Sequence, residues 1–199
     1  MKRVPKDLKG LFTSKIRIKI LTQFLFNVNE SFYTRQLERV LKEPVGPINR
    51  ELHNLEGIDI LESFMKGREK HYRINKEMFF FDALQLLFIK AIIGRSIKKV
   101  FSGKEGIELV FIYGSLAKGE GHKGSDIDIM IIGDITNKEL NKEINKCEKK
   151  LGKAINYSIY DREEIKERLK KEDNFILTVF KEGHIILIGN EDDELFRIN

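Results

Sequence analysis

Cysteine is almost absent from this chain of 199 residues, and the single one, Cys147, excludes an internal disulfide and a cysteine-rich zinc site. The histidines are also scarce and show no metal-ligand spacing; they are His53, His71, His122 and His184. No apolar run approaches the length of about 18 residues that a membrane-spanning helix requires. The N-terminal residues, MKRVPKDLKG, lack the apolar core of a secretory signal. We therefore expect a cytoplasmic protein with no membrane partner.

The chain does contain enough apolar material for a core, and its charge is unevenly distributed. Hydrophobic residues make up 41% of the sequence, which argues against disorder. The net charge is +5. Residues 1–100 hold 20 Lys and Arg against 11 Asp and Glu, a balance of +9, whereas residues 101–199 hold 16 against 20, a balance of −4. This asymmetry predicts two domains, of which the first is the one suited to nucleic acid.

One stretch of the second half, residues 107–133, combines short apolar runs with a glycine-rich loop. It reads IELVFIYGSLAKGEGHKGSDIDIMIIG. Residues 109–113 and 127–132 have the length and the β-branched content of buried strands. Asp126 and Asp128 stand at the start of the second strand. Because alternate residues of a strand share a face, both carboxylates lie on one side, about 6–7 Å apart along the chain.

Two carboxylates on one face form a hard-oxygen site of the kind that Mg²⁺ prefers. Mg²⁺ usually completes its coordination with water and substrate phosphates, and the Gly114-Ser115 turn after the first strand suits the phosphate side. Glycine lets backbone N–H groups approach an anion closely, and the Ser115 hydroxyl adds a donor. The alternative is that Asp126 and Asp128 are solvated acids at a strand edge and that the glycines only form turns.

The strand, the Gly-Ser turn, the glycine-rich loop and the Ser-Asp-x-Asp strand together resemble the signature of the polymerase-β-like nucleotidyltransferase superfamily, especially its minimal bacterial and archaeal members. The resemblance implies that Asp126 and Asp128 are catalytic and hold the metal, with Gly114, Ser115 and Ser125 at the nucleotide. It also implies Mg²⁺ or Mn²⁺ and a nucleoside triphosphate, from which a nucleoside monophosphate passes to an acceptor hydroxyl. The acceptor classes that it implies include a protein, since minimal members act as antitoxins that modify a toxin partner.

Asn156 is the position at which this sequence departs from the family pattern. Active members carry a third carboxylate on the next strand, which here is residues 154–160, and Asn156 stands in its place. An amide is uncharged and cannot accept a proton, so we expect nucleotide and Mg²⁺ binding to be retained and transfer to be slow or absent. Asp161 lies five residues further along, about 16 Å on an extended strand, too far to substitute without a bend.

The first half of the chain reads as three short helices followed by a β-hairpin. The predicted elements are helices at residues 14–26, from Thr34, and at 47–57, and strands at 60–65 and 70–74. Thr34 is predicted to be the N-cap of the second helix, and Pro47 to lie in the first turn of the third. This order resembles a winged helix-turn-helix domain, as found in many prokaryotic transcriptional regulators.

The resemblance implies that the third helix enters the major groove of double-stranded DNA while the hairpin grips the backbone. The predicted DNA contacts are Thr34, Arg35, Asn49, Arg50, His53, Lys66, Arg68 and Lys70. Side chains of these types read base edges or hold phosphates. Each one is equally well explained as a solvated surface residue. As a whole, the module is alternatively a protein-docking or dimerisation domain.

Residues 77–101, between the two halves, are apolar on more than one face, which predicts a long helix buried between the domains or in a homodimer. We therefore predict a winged-helix domain at residues 1–76, a linker helix at 77–103 and a nucleotidyltransferase domain at 104–199. Residues 1–13 are expected to form a loose basic arm. The strands and helices after residue 107 predict an α/β domain with a mixed sheet, so the fold class is α/β (α+β).

Two main functions are compatible with these features. The first is a nucleotidyltransferase that moves a nucleoside monophosphate to an unknown hydroxyl and is coupled to a DNA-binding module. The second is a transcriptional regulator whose transferase domain is catalytically weak and senses nucleotide. A scaffold in which both sites are idle is a third.

Overall fold

The computed structural model describes Leu8 and residues 12–101, 103–121 and 124–197, without the side chains of residues 137–139. Most of the predicted N-terminal arm at residues 1–13 lies outside the described residues. Contacts divide the chain into an N-terminal unit, the described residues of Met1–Ile92 and Glu120–Lys123, and a C-terminal unit, those of Ile93–Gly119 and Gly124–Asn199. No helix among the described residues has both the length and the apolar character needed to cross a membrane.

From Lys15 onward, the described residues of the N-terminal unit form helices α1 (Lys15–Leu25), α2 (Thr34–Leu41) and α3 (Val45–Glu56). Their apolar residues recur every three or four positions, so each helix presents one stripe to a common core. The residues of these stripes that are fully buried include Ile18, Leu21, Phe24, Leu37, Ile48 and Leu52. The predicted first and third helices are confirmed, with boundaries shifted by one or two residues.

The prediction that Thr34 is an N-cap is wrong. Tyr33 takes that position with an extended backbone (φ −102°, ψ 161°), and Thr34 is the first helical residue. The reason is that strand β1 (Phe32–Tyr33) runs directly into the helix, which leaves no separate capping turn. The Thr34 hydroxyl instead donates a hydrogen bond of 2.7 Å to Oδ1 of Asn49 on α3.

The predicted hairpin is confirmed as β2 (Leu61–Lys66) and β3 (Glu69–Ile74). With β1 these strands form an antiparallel sheet in the order β1-β3-β2. Gly67 and Arg68 make the turn, in which Gly67 has a φ of +62° that favours glycine.

The predicted long helix is interrupted and begins later than expected. It consists of α4 (Phe81–Ile89), a π-helical turn (Lys90–Gly94) and α5 (Arg95–Phe101). Residues 75–80 form turns instead, because the Glu77 N–H donates to Oδ1 of Asn75 and the Phe81 N–H donates to the carbonyl of Met78, both at 3.0 Å.

The C-terminal unit is built on a four-stranded sheet in the order β6-β5-β4-β7. Its strands are β4 (Ile107–Tyr113), β5 (Ile127–Gly133), β6 (Ile155–Tyr160) and β7 (Ile185–Ile188). β4 is antiparallel to both β5 and β7, whereas β5 and β6 run parallel. The sheet is therefore mixed, as predicted, and the β4–β5 pair brings the two ends of the glycine-rich loop together.

Helices cover both faces of this sheet. α7 (Arg162–Lys170) and α8 (Asn174–Lys181) pack on the face that carries Phe111 and Met130, with a short 3₁₀ turn, Glu194–Phe196. α6 (Asn137–Leu151) contacts α5 and β6, and it buries Cys147. Burial raises the pKa of the Cys147 thiol to about 11, consistent with a small core residue rather than a reactive thiol.

Candidate functional site

Sheet register places three side chains of the C-terminal unit in one row. Tyr113 at the end of β4 pairs with Asp128 on β5, and Asp128 pairs with Asn156 on β6. Partners in register point to the same face. Asp126 lies one residue before β5 and is exposed, while Asp128 is half-buried. The row therefore forms a polar edge on the same face that α7 and α8 cover further along the strands.

Gly114 is packed directly against one of the two acids. It has a φ of +72°, and a Cβ atom built there would lie 2.8 Å from Oδ2 of Asp128. The backbone conformation favours glycine, and a larger residue at this position would push the Asp128 carboxylate aside. The Gly114-Ser115 turn and the Asp128 carboxylate are thus held in contact by the backbone itself.

Asn156 bridges the two acids. Its amide nitrogen Nδ2 donates to Oδ2 of Asp126 at 3.2 Å and to Oδ1 of Asp128 at 3.1 Å. The two carboxylates therefore converge on one point, as their alternate positions along the chain predicted. Asn156 also lies where the missing third carboxylate was expected. In the part of the chain that the structure describes, no group of three or more His, Cys, Asp or Glu is arranged to hold a metal ion.

The donor set fits a divalent ion held by two carboxylates. One atom, the Asn156 nitrogen, already lies within hydrogen-bond distance of an oxygen from each acid, so a cation placed between them would meet both. Hard oxygen ligands of this kind suit Mg²⁺ and Mn²⁺, which take their other ligands from water and phosphate. Rotating the amide would present the Asn156 oxygen in place of its nitrogen and add a neutral ligand.

Lys153 is a site residue that the sequence reading missed. Its ammonium Nζ donates to the backbone carbonyl of Ser125 at 3.1 Å, directly before Asp126. Burial lowers the pKa of Lys153, and the charge of Asp126 opposes that shift. No spacing rule marks this lysine, because its position depends on the parallel pairing of β5 with β6, which a single sequence does not reveal.

Tyr113 was predicted only as the end of a strand. Burial, followed by the charge of Asp128, raises the pKa of the Tyr113 phenol, and the Ser158 side chain on β6 opposes this shift. Asp161, considered as a distant replacement for the third acid, has a different role. It is the N-cap of α7, where its Oδ1 accepts a hydrogen bond of 2.7 Å from the Glu164 N–H.

The predicted DNA-contacting residues fall into two groups in the N-terminal unit. The exposed group comprises Arg35, Asn49, Arg50, His53, Lys66 and Arg68. Thr34 is half-buried and bonded to Asn49, and the structure brings these two together across α2 and α3. Lys70 forms a 2.9 Å ion pair with Glu56 and lies over the Tyr72 ring at 5.1 Å from its centroid.

Glu56 connects the end of α3 to the hairpin. Its carboxylate accepts hydrogen bonds from Ser63 and Lys70, and His53 Nδ1 lies 3.7 Å away. These contacts lower the pKa of Glu56, and the bond with Glu56 raises the pKa of Lys70. Lys70 is therefore partly neutralised within the protein, unlike the exposed Lys66 and Arg68.

Comparison with curated proteins finds no match. Among solved structures, a toxin–antitoxin complex with AMP-PNP is 22% identical, covering 52% of this chain and 79% of that one, with a TM-score of 0.38. The tri-AMPylated HEPN toxin of Shewanella oneidensis in complex with MNT antitoxin is 20% identical (52% and 76% covered, TM-score 0.34). Reduced HlyU from Vibrio cholerae is 14% identical (42% and 82% covered, TM-score 0.34).

A protein-family model does match, and it covers the candidate site. The model of the polymerase beta nucleotidyltransferase family matches residues 95–192. The matched segment contains the Gly114-Ser115 turn, both acids and Asn156. Residues 95–192 therefore carry a nucleotidyltransferase domain of the polymerase β family.

Proposed function

We propose that this protein binds a nucleoside triphosphate together with Mg²⁺ or Mn²⁺ and transfers the nucleoside monophosphate slowly to an acceptor hydroxyl. The observation that carries the proposal is the convergence of Asp126 and Asp128 beside the turn at Gly114, whose positive φ favours glycine. The family match of residues 95–192 supports the same reaction class.

Each residue has a distinct part in this reaction. Asp126 and Asp128 would hold the divalent ion, which, when bound, neutralises phosphate charge and polarises the phosphoryl oxygens. Gly114 and Ser115 would bind the triphosphate through backbone N–H groups and a hydroxyl. Lys153 would place its side-chain nitrogen next to Ser125, close to where the phosphates would lie.

The missing third acid determines the expected rate. In an in-line transfer the acceptor oxygen bonds to the α-phosphorus, and the bond from that phosphorus to the bridging oxygen breaks. Pyrophosphate then leaves with the electron pair. In this proposal the acceptor proton goes to solvent, since the Asn156 amide, which stands in place of the third acid, cannot take it. A protein hydroxyl, including one on a toxin-like partner, is among the proposed acceptors.

Calorimetric titration of ATP and GTP, with and without Mg²⁺, tests the proposal. We expect binding that depends on Mg²⁺ and that is lost in the double variant Asp126→Asn, Asp128→Asn. The variant keeps the size of both side chains, removes their negative charge and replaces one oxygen of each with an amide nitrogen, which cannot ligate a metal ion. If the wild-type protein binds neither nucleotide, the proposed function is wrong.

A second function, DNA-dependent regulation by a winged-helix module, is favoured by a separate observation. The N-terminal unit contains three helices followed by an antiparallel hairpin, with Arg50 exposed on α3 and Lys66 and Arg68 exposed at the hairpin end. In this proposal, α3 enters the major groove and the hairpin contacts the backbone. The nucleotidyltransferase domain would then sense nucleotide.

Salt-dependent binding to duplex DNA tests this second function. Because each lost phosphate contact lowers the slope of log K against log salt by about 0.9, the triple variant Arg50→Ala, Lys66→Ala, Arg68→Ala should lose about 2 to 3 units of slope. A slope unchanged by all three substitutions would count against this surface as the DNA site.

Exposed apolar residues at and before α4 support the proposal of a homodimer. Phe79, Leu86 and Leu87, before and within α4, are 97%, 39% and 38% exposed. Light scattering of the wild type and of a Leu86→Glu, Leu87→Glu variant tests it. Ile58→Glu, which changes an apolar residue that is 56% exposed elsewhere in the same unit, is the control. A monomeric wild type would exclude the dimer.

A further inference from the structure

Phe175 is unusual for its surroundings. Among the described residues of the C-terminal unit it is the only large apolar side chain that lies exposed, at 44%. It is the second residue of α8, whose N-terminus is fixed by Asp173, which accepts a hydrogen bond from the Ile176 N–H at 3.1 Å. Ile176 and Val179 on the same helix are buried. The backbone at Phe175 is therefore held in place by the helix, while the Phe175 ring is exposed to solvent.

The Phe175 ring lies beside the candidate nucleotide site. Its centroid is 6.0 Å from that of Tyr113, with the two rings at 77°, an edge-to-face contact. Tyr113 immediately precedes Gly114 and pairs in register with Asp128. The exposed ring thus lies one side chain away from both the phosphate turn and an acid that would hold the metal.

We propose that Phe175 is the platform on which the base of the bound nucleotide stacks. The proposal rests on the proposed function and adds the position of the base. An edge-to-face contact occupies at most one face of a ring, so the exposed remainder of Phe175 is available to a flat partner. Stacking on a phenyl ring uses the π-face that every base has and does not read its hydrogen-bonding edge. Because stacking alone does not distinguish bases, we expect ATP and GTP to bind about equally.

The absence of tryptophan from the chain allows a direct optical test. In a Phe175→Trp variant the new indole is the sole tryptophan, so its fluorescence reports on that position alone. Mg²⁺-ATP should quench this fluorescence, whereas Mg²⁺-tripolyphosphate, which has no base, should bind without quenching it. Equal quenching by both ligands, or by neither when ATP binds, would overturn the proposal.

Calorimetry with alanine and tyrosine variants separates stacking from general damage. Phe175→Ala should weaken ATP binding about tenfold, leave tripolyphosphate binding unchanged, and be rescued by Phe175→Tyr. Phe79→Ala, which removes a 97% exposed phenyl ring from the other unit, is the matched control and should change neither affinity. If Phe175→Ala leaves the affinity for ATP unchanged, or lowers the affinities for ATP and tripolyphosphate equally, the proposal that the base stacks on Phe175 is wrong. If the wild type binds neither ligand, the proposed function itself fails.

Discussion

The two units hold their candidate functional residues in different ways. In the C-terminal unit, strand pairing fixes Tyr113, Asp128 and Asn156 in one row, and the backbone of Gly114 lies against a carboxylate. In the N-terminal unit, Arg50 and Arg68 are exposed on a helix and in a hairpin turn. As proposed, the nucleotide site would depend on a geometry set by the fold, whereas the DNA surface would depend on the amount of positive charge.

This difference predicts how each site responds to substitution. A site fixed by register should fail sharply when one contact is changed, because two ligands must converge on one ion. A surface that binds by charge should weaken in steps, since each phosphate contact contributes separately to the salt dependence. Each of the following experiments can confirm or contradict that contrast.

The largest effect is expected from Gly114→Ala. Its new Cβ would lie 2.8 Å from Oδ2 of Asp128, so the carboxylate must move away from its present position. Disturbing a residue that orients a metal ligand typically lowers metal affinity by about 10–100-fold. We expect calorimetry to show a loss of Mg²⁺-ATP affinity in that range, with the variant still folded by circular dichroism.

Gly124→Ala provides the matched control for this experiment. Gly124 also has a positive φ, +88°, but nothing lies within 4 Å of a Cβ built there. Both variants share the backbone cost of about 1–2 kcal/mol for a left-handed residue, and only Gly114→Ala displaces the acid. Equal affinities for the two variants would show that contact with Asp128 is unimportant and that the C-terminal site does not depend on this geometry.

A smaller effect, in the opposite direction, is expected from Asn156→Asp. The side chain keeps its shape and exchanges a donor that touches both acids for a third carboxylate. Without metal the three negative charges repel, so the melting temperature should fall. Added Mg²⁺ should raise the melting temperature again. The Mg²⁺ concentration that gives half of this rise should be about tenfold lower for the variant than for the wild type, because affinity rises with ligand charge.

Asn156→Ala distinguishes the new charge from the lost amide. This variant removes the same two hydrogen bonds without adding a ligand, so its thermal stability should respond to Mg²⁺ no more strongly than that of the wild type. If Asn156→Asp behaves like Asn156→Ala, the row of side chains is not a metal site that a third acid completes.

Features that depend on local residue patterns were predictable from the sequence, whereas those that depend on the pairing of distant segments were not. The strands around the glycine-rich loop and the one-sided position of Asp126 and Asp128 follow from residue types and a period of two. Lys153 was not predictable, because it reaches Ser125 only through the pairing of β5 with β6, two segments that are distant in sequence.

Local competition between structures explains the errors in the N-terminal unit. Thr34 has the right residue type for an N-cap, but strand β1 extends to Tyr33 and takes over that position. The helix expected from Glu77 begins at Phe81, because Asn75 bonds to the backbone of Glu77 and forms a turn. In both cases the sequence predicts the element, and a neighbouring hydrogen bond decides where it begins.

The smallest effect is expected within the basic surface, from Lys70→Ala compared with Arg68→Ala. Lys70 is paired with Glu56 at 2.9 Å, whereas Arg68 is exposed in the hairpin turn. Arg68→Ala should lower the salt slope of DNA binding by about 0.9, and Lys70→Ala by clearly less, because much of its charge is already balanced. Titrations of one duplex at several salt concentrations measure both slopes. Equal losses would mean that the Glu56 pair opens on DNA, so that this surface too depends on a specific rearrangement and not on exposed charge alone.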